Sequence, residues 1–500
     1  MTPTLPRRAR RLARLVIVPV VLLATFAPTA DAAQVGMVGD ITWGQSQATV
    51  DREVALIKDS GARWVRANVN WRWLEPDSKG AIDAGLLAQY DYAIDKARAA
   101  GLQVLMPIAD AVPYWASGDP NKHLDGSGQR VWNRYYPPAR MSDFADFTRF
   151  VVEHYKAKGV HAYEIWNEPN TGWFWAPGPN AAQYTEMLKA SYPAVKAADP
   201  TATVVMGGLS KSDFKYLEGV YRAGGGPYFD AVAVHPYTYG MDPTVSWNGT
   251  NAGEDPSRIS FNAFPAIKEI KATMNAFGDS GKQVWITEFG YSTTTQNGGV
   301  TPTQQADYLV KAYRYVEQFP WVHSLFTYQI RNNPFYGDRD EFEGQFGLTT
   351  AAWQPKPAYA ALKSYAATVP ALPTEPLPTE PAPTEPTSVP TPSVRKPPKK
   401  PRLRAARVTR VAVVRHGRTR ALTVYGHVPR ALSRGARLRL ELQRRTRHGW
   451  HKRGMPVRLR GTRYRKVLMS GQLRRGSWRV RAVVIAGGAR KRSAFRRFRV

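Results

Sequence analysis

The 500-residue chain has no cysteine. That absence excludes disulfide staples, thiol nucleophiles and Cys-ligated metals, without deciding the compartment. No glycine-rich G-x-G-x-x-G follows the first strand-like segment, which removes the usual dinucleotide-binding reading. Long apolar runs are also missing. The most apolar stretch, inside "RRARRLARLVIVPVVLLATFAPTADA", extends for about 13 residues, short of the roughly 20 that a membrane-spanning helix needs. An arginine cluster precedes it and Ala30-Asp31-Ala32, a small-x-small pattern, closes it. Residues 1–33 therefore predict a cleaved secretory signal rather than a membrane anchor. The mature chain is expected outside the cytoplasm, with no membrane span left after cleavage.

Acidic residues all but vanish from the last hundred positions. Residues 401–500 carry 31 Lys and Arg against one acid, Glu441, whereas residues 34–369 carry 30 basic and 34 acidic residues. The formal net charge of +31 thus belongs to the tail and says nothing about the larger part.

What separates the two is "PALPTEPLPTEPAPTEPTSVPTPSVRKPPKKP", residues 370–401. Proline at that density makes an extended spacer and cannot build a core. Before it, short Val/Ile-rich runs alternate with amphipathic stretches. The strand candidates are "VGMVGDI" (35–41), "ARWVRANV" (62–69), "LQVLMPIA" (102–109), "HAYEIWN" (161–167), "ATVVMGG" (202–208), "FDAVAVHPY" (229–237), "QVWITEFG" (283–290) and "VHSLFTYQ" (322–329). Helix-like patterns follow them, among them "SDFADFTRFVVEHYKAKG", with Ser142 as its expected N-cap and a stop near Gly159. Eight apolar strands alternating with helices over residues 34–369 predict an α/β fold, a closed (β/α)8 TIM barrel. After the linker, "RLRLELQRR" and "SWRVRAVVIA" alternate with period two. Residues 402–500 are accordingly expected to form a small all-β, Ig-like sandwich with arginine on its outer face.

The barrel reading singles out two glutamates. Functional residues of such barrels stand at the C-terminal ends of the strands. Glu168 ends the fourth strand in "AYEIWNEPN", and Glu288 ends the seventh in "VWITEFGYS". A carboxylate is costly to bury unless paired or used. Two that face each other across a cleft meet the need of glycoside hydrolysis, in which one carries a proton for the leaving oxygen and the other stays ionised. Either glutamate alone would also fit a structural pair with a nearby arginine.

"IWNEPN" together with "WITEFG" resembles the clan A glycoside hydrolases over roughly residues 35–367. The resemblance implies a retaining (β/α)8 enzyme acting on O-glycosidic bonds of a polysaccharide or oligosaccharide. It implies Glu168 as acid/base and Glu288 as nucleophile. Arg66 and Tyr237, the latter within "VHPYTYG", would hold the nucleophile. Asn167 would donate to the sugar 2-hydroxyl and His235 would shape the floor, an assignment that competes with a plain core histidine. "VPYWA" (112–116) is similar to a Pro-x-Trp-Ala segment of family 39 and its relatives. No metal or organic cofactor is required, and a monomer is expected.

Aromatic residues gather near the expected mouth: Trp71, Trp73, Trp115, Trp132, Trp173, Trp175, Tyr291 and Tyr328. Sugar rings stack on such flat faces, and Trp173 and Trp175, just past the acid, are the foremost platforms, with Trp115 and Tyr328 also expected to touch substrate. The segment "NNPFYGDRDEFEGQFGL" (332–348) is expected to form the loop after the eighth strand and to line a subsite. The chain departs from the clan pattern there, since "FTYQIRNN" offers Tyr328 or Gln329 where many members carry tryptophan. This tilts the resemblance from family 5 toward family 39. Asp110, after the third strand, has no assigned role.

The cationic tail will seek polyanions. It has no helix-turn-helix, zinc site or aromatic single-strand platform, so nucleic acid is not the expected partner; an anionic cell-wall polymer, an acidic polysaccharide or phospholipid headgroups fit better, and an unliganded spacer is the plainer alternative. Two other readings stay open for the whole: a barrel that binds carbohydrate without cleaving it, and a cell-surface polyanion-binding protein.

Overall fold

The computed structural model describes residues 33–370, apart from 110, 126–127, 251–253 and 338, and the strands lying between 407 and 499. The expected leader (save Ala33), the linker (save Pro370) and Asp110 lie outside the described residues. The chain divides into two compact units, Met1–Ala382 and Pro383–Val500.

The first unit is a closed (β/α)8 barrel. Its strands are β1 (Gln34–Val38), β2 (Trp64–Arg66), β3 (Gln103–Ala109), β4 (Ala162–Ile165), β5 (Thr203–Met206), β6 (Ala231–His235), β7 (Gln283–Phe289) and β8 (Val322–Thr327). Each runs parallel to its neighbours, and β8 returns to β1 with Gln34 opposite Ser324 and Met37 opposite Thr327, which closes the ring. All eight overlap the predicted runs.

A helix follows each strand: α1 (Gln47–Asp59), α2 (Ala84–Ala99), α3 (Met141–Tyr155), α4 (Ala181–Ala198), α5 (Phe214–Arg222), α6 (Ile267–Ala276), α7 (Pro302–Val316) and α8 (Pro357–Ala366). Local chemistry starts most of them. The side chains of Ser46, Asp83, Asn180 and Asp213 accept from first-turn N–H groups. Thr301 and Gln304 form a reciprocal capping box at α7. The reading of Ser142 as a cap is corrected: α3 starts one residue before it, after Arg140, whose side chain caps nothing. Instead Asp143 supplies first-turn negative charge and is held by Arg140 and Lys79. The helix does stop before Gly159, which has φ 76°. Among the described residues no helix is long and apolar enough to cross a membrane.

Two apolar layers hold the barrel. Val38, Leu105, Ala162, Val205, Ala231, Ala233, Trp285 and Phe326 fill its interior. A larger shell, with Val65, Ile108, Ile165, Leu188, Ile286 and Leu325 among its members, lies between strands and helices. Each such fully buried aliphatic side chain contributes roughly 1.5–3 kcal/mol. Gly36 on β1 is required by this packing: a Cβ there would lie 2.5 Å from the Phe326 ring.

In the second unit all described segments are antiparallel strands. Arg407–His416, Thr419–His427 and Arg463–Leu468 make one sheet. Gly449–Val457, Arg437–Thr446, Ser477–Ala486, Ala489–Arg492 and Arg496–Arg499 make another.

Candidate active site

The C-terminal ends of β2, β4, β6 and β7 bring one charged network together. Arg66, the last residue of β2, is buried and is its hub. Its Nε donates to Glu164 Oε2 at 2.8 Å, one terminal nitrogen donates to Glu288 Oε1 at 2.5 Å, and the other donates to Asn167 Oδ1 at 2.9 Å. Three acceptors on one planar guanidinium fix it rigidly. Asn167 therefore has its carbonyl oxygen occupied, which leaves its amide N–H groups for another partner.

Glu168 follows Asn167, three residues past the end of β4 and on a strained exit from it. Trp166 has φ 75° and Glu168 has φ 41°, a region that costs non-glycine residues about 1–3 kcal/mol and persists only when the surroundings impose it. Here they do: Trp166 donates its indole N–H to the Phe174 carbonyl, and the Glu168 N–H bonds to the Gly208 carbonyl.

His235, at the end of β6, is buried and lies between the two carboxylates. Its Nδ1 is 2.9 Å from Glu168 Oε1 and 3.7 Å from Glu288 Oε2. Its Nε2 is 3.0 Å from Thr287 Oγ1, and the Thr287 hydroxyl donates onward to Glu164 Oε1. A hydroxyl that gives its proton to Glu164 must accept from His235, so Nε2 carries a hydrogen and Nδ1 is the nitrogen that titrates against Glu168. Tyr237 donates to Glu288 Oε2 at 3.0 Å. The functional atoms of Glu168, His235 and Glu288 all lie within 4.8 Å of one another.

These contacts set the charges. Burial resists ionisation of Glu288, but the charges of His235 and Arg66 and the hydrogen bonds from Tyr237 and Arg66 prevail and hold its carboxyl below the ordinary glutamate value. Burial likewise opposes a charged His235, yet Glu288 and Glu168 outweigh it and push the imidazole up. Burial, and then the negative charge of Glu288, moves the hydroxyls of Tyr237 and Tyr328 well above their usual value, so both remain protonated donors. Glu168, His235 and Glu288 are close enough to surround a cation, but Arg66 and Tyr237 already occupy both oxygens of Glu288.

The expected aromatic residues separate into two groups. Trp175 is corrected: it is fully buried, edge-on to Trp166 and Tyr184, with its indole N–H bonded to Gln183 Oε1. No sugar can reach it. Core packing claims it because it anchors the loop beyond Glu168. Trp71 and Tyr291 are core residues too. Trp173 is 81 % exposed in the same loop. Trp115 is half-buried against Trp71. Trp43 and Trp73, partly exposed in the loops after β1 and β2, meet edge to face at 5.3 Å. Tyr328 follows β8, joined to Gln329 by a cis peptide, and packs against Tyr237 and Phe346.

Three carboxylates near the site went unread in the sequence. Glu164 lies on β4 and is wholly buried. Its period-two alternation with Ala162, which fills the barrel interior, could have revealed it. Glu343 sits in the loop after β8; partial burial, and then the charges of Glu288 and Glu168, raise its carboxyl. Asp40, just past β1, pairs with Glu53 of α1, and burial raises both.

Comparison with known proteins bears on this arrangement. The family model for cellulase (glycosyl hydrolase family 5) matches residues 27–329. No curated protein matches the sequence. Among solved structures, a family 39 glycoside hydrolase from the gut symbiont Bacteroides cellulosilyticus WH2 superposes with a TM-score of 0.52 at 20 % identity, covering 88 % of this chain and 79 % of its own. A GH5_18 enzyme from Streptomyces cattleya, in complex with Manβ1-4GlcNAc, gives 0.51 at 16 % identity over 67 % and 80 % of the two chains. A monomeric β-xylosidase from Caulobacter crescentus CB15 gives 0.50 at 16 % identity over 88 % and 95 %. At these identities the structural likeness establishes the fold.

Proposed function

The chain belongs to glycosyl hydrolase family 5, in clan A, and from that premise we propose that it is an exported retaining glycosidase that cleaves O-glycosidic bonds in a polysaccharide or oligosaccharide. The observation that carries the reading is the spacing of Glu168 and Glu288, one carboxylate oxygen of each lying within 4.8 Å of the other. Retaining enzymes hold their carboxyl groups about 5–5.5 Å apart, and a wider gap would be needed to seat the water of an inverting one.

In this reading Glu288, ionised by its hydrogen-bond partners, attacks the anomeric carbon while Glu168 passes its proton to the leaving oxygen. The C–O bond to the leaving group breaks and a glycosyl ester on Glu288 forms. Water then attacks the same carbon, Glu168 takes back a proton, and the ester bond to Glu288 breaks. His235 supports the alternation. With Nε2–H committed to Thr287, its Nδ1 accepts from a protonated Glu168 or, in the cationic ring, donates to an ionised one. The contact keeps one proton in either state. Asn167, its oxygen held by Arg66, presents N–H groups to the sugar 2-hydroxyl, and Trp173 offers an exposed stacking face beyond the acid.

The leader-like segment 1–33 supports export, and the arginine-rich strands after the linker support an Ig-like module that holds the enzyme to an anionic cell-wall polymer. A screen of the full chain over aryl glycosides and a polysaccharide panel, with product anomers followed by NMR, tests the proposal. Retained configuration in the first-formed product is expected, together with loss of roughly 10⁴-fold or more in kcat for Glu288→Ala. Inverted product would refute the double displacement, and equal activity of wild type and variant would refute the site.

A further inference from the structure

Two segments on the catalytic face, the turn after Asn70 and the loop after β3, border an open cavity of about 430 Å³ lined by Arg72, Arg130, Trp132, Arg134 and Tyr135. Its position follows from the backbone. Arg72 lies two residues past Val69–Asn70, the short strand that pairs with the C-terminal end of β3. Arg134 is in the loop after β3, where its carbonyl accepts from Val112 N–H. Tyr135 accepts through its carbonyl from Ala176 N–H, in the loop that follows Glu168. The cavity thus opens on the same end of the barrel as the two catalytic glutamates.

Among the described residues only one of its three arginines is paired with an acid. Arg130 is neutralised by Asp77, at 3.4 Å, and also donates to the Pro76 carbonyl. Among the described residues Arg72 and Arg134 form no ion pair. Acids close in the chain are engaged by other groups: Glu75 by the Trp71 indole and the Gly80 N–H, Asp77 by Arg130, Asp125 by the Gln129 N–H, and Asp119 by the N–H groups of Asn121 and Asn133. Arg72 is half-buried, and its guanidinium rests on the Trp132 ring at 5.2 Å; that of Arg134 rests on Tyr135 at 4.7 Å. The Trp132 ring orients Arg72, and Arg134 lies against Tyr135 and donates to its hydroxyl at 2.8 Å; neither contact cancels a charge. Burial, and then the repulsion of Arg134, depresses the Arg72 pKa, as expected for like charges brought together without a counter-ion. Two guanidinium groups beside flat rings, one half-buried and one exposed, form a recognition surface for an anion carried on a sugar.

We propose that this cavity is a specificity subsite for a negatively charged sugar substituent, a uronate carboxylate or a sulfate ester, so that the preferred substrate is an acidic glycan. The inference rests on the glycosidase reading above, since the cavity selects substrate only if the neighbouring glutamates cut it.

The test titrates the full-length chain, in a Glu288→Ala background so that no bond is cut, with three tetrasaccharides by calorimetry at physiological salt. The probes are a glucuronate-bearing tetrasaccharide, its carboxyl-reduced counterpart and an O-sulfated neutral one. Each is also run on the same chain carrying Arg72→Gln and Arg134→Gln. The basic tail is present in every sample, so a difference between them belongs to the barrel. At least one anionic probe is expected to bind about tenfold or more tightly than the reduced one, with most of that preference lost in the double variant. The anion that responds identifies the substituent. Equal binding of charged and neutral probes, or a preference that survives the double variant, overturns the inference. Should the double variant fail to fold, exposed Arg134→Gln alone is read in the same way. Turnover of the panel by wild-type protein is scored separately. Hydrolysis without charge preference sinks the subsite alone, and charge-selective binding without hydrolysis of any glycoside sinks the glycosidase reading alone.

Discussion

The hydroxyl of Tyr237 donates to Oε2 of Glu288 at 3.0 Å, bridging the exits of β6 and β7. It is one of the contacts that keep a buried carboxylate ionised against the cost of its own desolvation. Tyr237→Phe removes the donor and keeps the ring. A hydrogen bond to a charged group is worth about 1.5–3 kcal/mol, so its loss should raise the carboxyl of Glu288. In the glycosidase reading the ionised form is the active one, so the acidic limb of the kcat/KM profile should move to higher pH. An unmoved limb in the variant would show that Tyr237 has no hold on the group that titrates there.

Trp173 and Trp175 make a matched pair two residues apart, one exposed and one enclosed. Trp175→Ala should lower unfolding stability by about 3–5 kcal/mol, seen as an earlier thermal transition. Trp173→Ala should leave that transition within about 0.5 kcal/mol of wild type and raise KM for long substrates while sparing small aryl glycosides. The reverse pattern would place the sugar platform elsewhere.

Gly208 makes room for the imidazole of His235: a Cβ at this position would sit 2.1 Å from Nε2. Gly208→Ala should therefore displace the ring and break its contacts with Thr287 and Glu168. Misplacing a group by an ångström in a catalytic constellation costs on the order of 10²-fold in rate. Turnover should fall by about that factor in a protein whose far-UV circular dichroism is unchanged.

Asp40 and Glu53 give the fold a pH dependence of its own. Burial raises Asp40 to about 6 against the opposing charge of Arg331. Burial and the neighbouring Asp40 raise Glu53 to about 8. Both values exceed those of the unfolded chain, so the native state holds the extra protons. The stabilisation is complete below about pH 4 and is lost as pH climbs through 6 and then 8. Glu53→Gln keeps an acceptor for the Asp40 N–H and cannot ionise. Thermal midpoints measured from pH 5 to 8.5 should fall less steeply for the variant; parallel curves would remove the pair from the account.

The eight strands were legible because each is a short apolar run bounded by polar turns, and because a buried parallel sheet leaves no polar face to blur the signal. Glu168 and Glu288 stood out for the opposite reason, as acids ending apolar runs. Trp173 and Trp175 did not separate, since two tryptophans in one loop carry the same sequence signal and only packing tells the core from the rim. Ser142 misled because a capping residue one position off the helix start looks the same in sequence as one on it.

By itself the sequence determined the (β/α)8 ring and the strand ends on which its acids stand, because apolar periodicity is a local property of the chain. Tertiary structure alone decided what those acids do to one another. It clasped Glu164, Asn167 and Glu288 around one guanidinium, set His235 between Glu168 and Glu288, and left Arg72 and Arg134 with no ion pair among the described residues. Electrostatic energy depends on distance and desolvation between residues as much as 222 positions apart, and neither quantity exists until the ring has closed.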